Sequence, residues 1–64
     1  MKVNGEEIKL QESVSLLDYL EENGYNASRI AVERNGQIVP KSMYKECVLS
    51  ESDTLEIVHF VGGG

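Results

Sequence analysis

Basic residues are scarce in this chain, and their scarcity excludes whole classes of partner. Six Lys and Arg face eleven Asp and Glu, a net charge of -5. Nucleic acid and anionic membrane both demand clustered cations, so neither is expected. Only one cysteine is present, Cys47. No internal disulfide can form, and the reading is a cytoplasmic protein. There is no apolar run of membrane-spanning length, and Met1-Lys2-Val3-Asn4-Gly5 has no apolar core of a signal peptide. The single histidine, His59, has no second ligand spaced to join it in a metal site. No nucleophile, base and oxyanion donor assemble from the pattern, so an enzyme is not expected. At 64 residues the chain makes one small domain, and a domain of that size buries only about 60% of its unfolded surface.

What is present is punctuated clearly. Residues 1–3 and 8–10 flank Asn4-Gly5, a signal for a two-residue type I′ hairpin. That register puts Lys2 opposite Glu7 and gathers Met1, Val3, Ile8 and Leu10 on one face. A helix is expected near residues 14–23. Ser13 or Ser15 can cap it, and Ser15 with Asp18 reads as a capping box. Val14 and Tyr19 make a hydrophobic staple, Leu16, Leu17 and Leu20 the buried stripe, and Asn23-Gly24 the stop. Residues 30–34 form the next strand candidate. Asn35-Gly36 signals a second hairpin, with residues 37–39 returning to Pro40. The stretch 41–53 is irregular, with Met43, Tyr44, Val48 and Leu49 available to plug one end of the core. Residues 54–60 are rich in β-branched and apolar types and form the last strand.

Hairpin, helix, hairpin, irregular segment, strand: one helix must cover one face of one mixed sheet. That order describes an α+β fold of the β-grasp type, with four or five strands and the last strand central and parallel to the first. If Leu55 and Ile57 face the helix, Val58 and Phe60 face outward. They then form a docking patch, with Val61, beside the final Gly62-Gly63-Gly64. Three glycines bury nothing and are costly to order. Extended, they reach roughly 10 Å past the strand, a thread that a narrow channel can admit. Residues 1–61 are therefore read as the domain and 62–64 as a flexible tail, mobile in the free protein.

From end to end, the chain resembles the ThiS family of sulfur carriers. The resemblance rests on Met1-Lys2-Val3-Asn4-Gly5-Glu6, on Asn35-Gly36-Gln37-Ile38-Val39-Pro40-Lys41, and above all on residues 53–64, Asp53-Thr54-Leu55-Glu56-Ile57-Val58-His59-Phe60-Val61-Gly62-Gly63-Gly64. The apolar pattern before the glycines is also similar to the end of ubiquitin. The step Val39-Pro40-Lys41 and the short length match this family better than the related molybdopterin carrier, MoaD. The turn Ser50-Glu51-Ser52-Asp53 departs from the Asp-Gly-Asp often found there.

The resemblance implies a protein cosubstrate that brings no cofactor of its own. An adenylating enzyme resembling ThiF activates the carboxyl of Gly64, and a cysteine desulfurase is the indirect source of sulfur. The resulting thiocarboxylate serves a thiazole synthase resembling ThiG. Gly63 and Gly64 match the reactive diglycine, Gly62 lengthens the thread, and the free carrier is expected to be monomeric. Two alternatives share the same tail chemistry: a carrier for another pathway such as molybdopterin, and a ubiquitin-like modifier of lysines. Cys47 is read as a half-buried structural thiol, and His59 as a packing or surface residue. Lys41 and Lys45 are ordinary surface lysines or partner contacts.

Overall fold

The computed structural model describes residues 1–60. Strands β1 (Lys2–Val3) and β2 (Glu6–Glu7) pair antiparallel, with Lys2 opposite Glu7 and Val3 opposite Glu6. The turn between them has positive φ at both central residues, 52° at Asn4 and 85° at Gly5, as a type I′ turn requires. Ile8 N–H donates to Met1 O at 2.7 Å and the Met1 ammonium to Ile8 O at 3.0 Å, so the expected register holds. The second strand is shifted from the expected 8–10, however. Past Ile8 the backbone leaves the ladder, and Leu10 N–H donates to the Glu51 carboxylate at 3.2 Å.

Strand β3 (Val14–Ser15) precedes helix α1 (Leu16–Glu22). The helix begins two residues later than expected because Val14 and Ser15 are extended and already paired. Ser15 does both jobs: its backbone joins β3, while its hydroxyl accepts the Asp18 N–H at 3.1 Å. The buried face is Leu16, Tyr19 and Leu20, an i, i+3, i+4 stripe. Leu17, expected in that stripe, sits at its margin and is half-buried. At the far end the Asn23 side chain donates to Tyr19 O at 2.8 Å, and Gly24 takes φ +80°.

Strands β4 (Ile30–Arg34) and β5 (Gln37–Ile38) form the second hairpin about Asn35-Gly36. Strand β6 (Val48–Leu49) pairs with β3, a two-stranded annex not foreseen from sequence. Strand β7 (Thr54–His59) closes the main sheet in the order β2-β1-β7-β4-β5. It lies centrally, parallel to β1 and antiparallel to β4. This is the expected α+β, β-grasp arrangement, with five strands.

Val3, Ile30, Val32, Leu55 and Ile57 meet Leu16, Tyr19 and Leu20 in the core. Of the four residues expected to plug its end, only Tyr44 and Leu49 go inside. Met43 and Val48 are exposed: the short turn Lys41–Met43 buries none of its residues, and the two-residue β6 turns Val48 to solvent and Leu49 inward.

Candidate functional site

The end of β7 is the place where sequence and fold converge. Leu55 and Ile57 point inward, as expected. Val58 and Phe60 point outward and are 58% and 59% exposed. Val58 lies opposite Ala31 on β4. On β5, two strands from β7, Ile38 is also exposed; it lies level with Glu56 through Glu33. Val61, Gly62, Gly63 and Gly64, the remaining expected docking and tail residues, lie outside the described residues.

β7 is held in register from both sides by asparagine side chains. The Asn4 amide bridges Ile57, accepting from its N–H at 2.7 Å and donating to its carbonyl at 3.2 Å. Asn35 accepts from Thr54 N–H at 2.9 Å, and its own backbone N–H donates to Thr54 O at 2.8 Å. Each turn asparagine therefore also serves as a rung of the sheet. The sequence signal, Asn before Gly, pointed only to the turns.

The root of β7 is fixed by an ion pair between the buried Asp53 carboxylate and the half-buried Arg34. Asp53 is 4% exposed and accepts from three donors: Arg34 Nη2 at 3.0 Å, Ser50 N–H at 2.9 Å and Asn35 Nδ2 at 3.0 Å. Burial by itself raises its pKa. Arg34, Ser50 and Asn35 outweigh that and hold the carboxyl below the usual aspartate range. Arg34 also donates to Val48 O at 3.1 Å and lies 3.5 Å from the Cys47 sulfur. The same pairing raises the Arg34 pKa further. The Ser50-Glu51-Ser52-Asp53 turn needs no glycine because this carboxylate closes it. Arg34 and Asp53 were not singled out from sequence; charges 19 positions apart give no local signal.

Cys47 is buried at 9% exposure, deeper than the half-buried position expected. His59 is exposed and stacks on Tyr25, ring centroids 5.5 Å apart. Among the described residues no group of three His, Cys, Asp or Glu is arranged to hold a metal ion. No helix among them is long and apolar enough to cross a membrane.

The sequence profile of the ThiS family matches residues 1–64, the full length of the chain. The chain belongs to the ThiS family. Sulfur carrier protein ThiS of Bacillus subtilis (strain 168) is 37% identical over 65 residues, covering 100% of this chain and 98% of that one. A thiazole synthase of Paramagnetospirillum magneticum is 45% identical over 62 residues. The match covers 97% of this chain but 19% of that synthase, so the chain spans about a fifth of such relatives. The crystal structure of the thiamine biosynthesis protein ThiS from Geobacter metallireducens superposes with a TM-score of 0.82 at 26% identity, covering 98% of this chain and 96% of that one.

Proposed function

We propose that the C-terminal carboxyl of Gly64 is the sulfur-carrying group and passes through an acyl-adenylate to a thiocarboxylate. An α-carboxyl has a pKa near 3.5 and is ionised at neutral pH. It is a poor acyl donor, since its leaving group would be oxide. Attack of a carboxylate oxygen on the α-phosphorus of ATP releases pyrophosphate and makes AMP the leaving group. The terminal sulfur of a persulfide then attacks the acyl carbon and expels AMP. A second thiol cleaves the S–S bond, becoming part of a disulfide and freeing the thiocarboxylate. That sulfur is delivered for thiazole formation.

In this reading the core of residues 1–61 serves as a handle. Gly62 and Gly63 thread the partner's channel, and Val58, Phe60 and Val61 dock beside it. The observation that carries the reading is the family match, which runs through the glycines to Gly64. An adenylating enzyme resembling ThiF performs the activation, and a cysteine desulfurase supplies the persulfide. Thiazole synthase is the acceptor. Its support is that synthases from other organisms contain a stretch like this chain within one polypeptide. All of this chemistry belongs to the cytoplasm.

The docking face has its own test. Val58→Asp and Phe60→Asp should each cost about 2 kcal/mol or more of binding to the adenylating enzyme, because each places a charge in an apolar contact. Both residues are exposed, so the fold should survive. Titration calorimetry, with circular dichroism of the same samples, measures both. Wild-type affinity in both folded variants would move the docking surface elsewhere.

A further inference from the structure

Lys41, the basic residue of the Val39-Pro40-Lys41 step, makes two contacts at once at the root of the tail. Its ammonium donates to Ser28 O at 2.9 Å and lies 5.4 Å from the centroid of the Phe60 ring. Phe60 in turn donates its N–H to Arg29 O at 2.9 Å. Ser28 and Arg29 belong to the short turn Ala27–Arg29, which is itself tied: Asn26 Oδ1 accepts from Ser28 N–H at 3.0 Å and from the Ser28 hydroxyl at 2.7 Å. One residue earlier, His59 pairs with Ile30 and stacks on Tyr25. Lys41 thus bridges an anchored loop and the last aromatic side chain before the glycines.

The contact does not serve the core. Phe60 is 59% exposed, and a cation over an exposed ring adds little to stability. What it restrains is orientation. The β4–β7 ladder ends at His59, so beyond it Phe60 is tied by one backbone hydrogen bond and by Lys41. Strand ends held so lightly open easily. A partner that must seat Val58 and Phe60 while admitting the following thread binds only the fraction of carriers whose root is in place. Its apparent affinity falls with that fraction.

We propose that Lys41 is a positioning residue that acts through Phe60 to fix the root of the tail for docking. The proposal rests on the reading of Gly64 as the adenylated end. Lys41→Met keeps the apolar stem and removes both contacts; Lys41→Arg retains a cation and a donor. In the free protein, Lys41→Met should speed amide hydrogen exchange at Phe60 by roughly three- to tenfold, with the core amides unchanged. In ATP–pyrophosphate exchange with the adenylating enzyme, it should raise the KM for the carrier by a smaller factor, since a root that is mostly closed loses only part of its competent fraction, and leave kcat unchanged. Lys41→Arg should restore both. Adding Lys41→Met to Phe60→Leu should change KM little further, because the two residues lie on one path.

Unaltered Phe60 exchange in Lys41→Met overturns the proposal, even if KM rises, since Lys41 would then be touching the enzyme directly. Faster exchange with an unaltered KM overturns it as well. If the wild-type carrier supports no turnover, the Gly64 reading fails and the docking role fails with it. The exchange rate of Phe60 in the free protein distinguishes that outcome from a failure of the Lys41 contact itself.

Discussion

Asp53→Ala is expected to cost about 1–3 kcal/mol of unfolding free energy, the penalty for removing a buried acceptor from the donors it satisfies. The substitution leaves the Arg34 guanidinium without its carboxylate. It also removes the acceptor of Ser50 N–H and Asn35 Nδ2, loosening the turn that starts β7. A domain of 64 residues holds only about 3–10 kcal/mol at ~0.05–0.15 per residue. The variant should therefore lose a large share of its stability and unfold at a clearly lower urea concentration. The same group sets an acid limit. Its folded pKa lies below its unfolded value, so its contribution is fully present above about pH 4 and drains away as pH falls through the folded value. Urea denaturation followed by circular dichroism at neutral pH, repeated down an acid series, reads both effects. Asp53→Asn should flatten that acid dependence. A stability near wild type for Asp53→Ala would mean the ion pair is not what holds the root of β7.

Deleting Gly64, or replacing Gly63 with valine, is expected to abolish adenylation or slow it by orders of magnitude while leaving the melting temperature unchanged. Glycine has no side chain to bury, so little stability is at stake. Chemistry is at stake, because adenylation needs the carboxylate in line with the α-phosphate and the reacting atoms ~3–3.5 Å apart. Losing one residue withdraws the carboxylate by roughly 3.5 Å. A valine at position 63 adds a branched Cβ to a thread sized for glycine and removes access to positive φ. ATP–pyrophosphate exchange and thermal unfolding of the same proteins test the two halves. Full-rate exchange by the Gly64 deletion contradicts the proposed chemistry.

Much of this architecture was legible because local signals agreed with global ones. Asn4-Gly5 and Asn35-Gly36 fixed two hairpins, and both adopt the positive φ values their sequences imply. The alternation in residues 54–60 implies Leu55 and Ile57 inside with Val58 and Phe60 outside, as they are found. What was missed lacked a local signal. Strands β3 and β6 have two residues each, too few for a period of two to register. Tyr19 displaced Leu17 from the buried stripe because helix phase, once Ser15 was the cap, favoured positions 16, 19 and 20. The Arg34–Asp53 pair joins distant positions through the fold. Lys41 was indistinguishable in sequence from any surface lysine; its place beside Phe60 is set by the Pro40 turn and the Ser28 carbonyl.

Intact-mass spectrometry of the carrier, after incubation with ATP, a persulfide donor and an adenylating enzyme of the ThiF type, tests the central claim most directly. The account predicts a mass gain equal to the exchange of one oxygen for sulfur, located by fragmentation at Gly64. The gain should depend on ATP and be absent from the Gly64 deletion. An unchanged mass under conditions where the enzyme activates a known carrier, or sulfur found on Cys47 instead of Gly64, would contradict it.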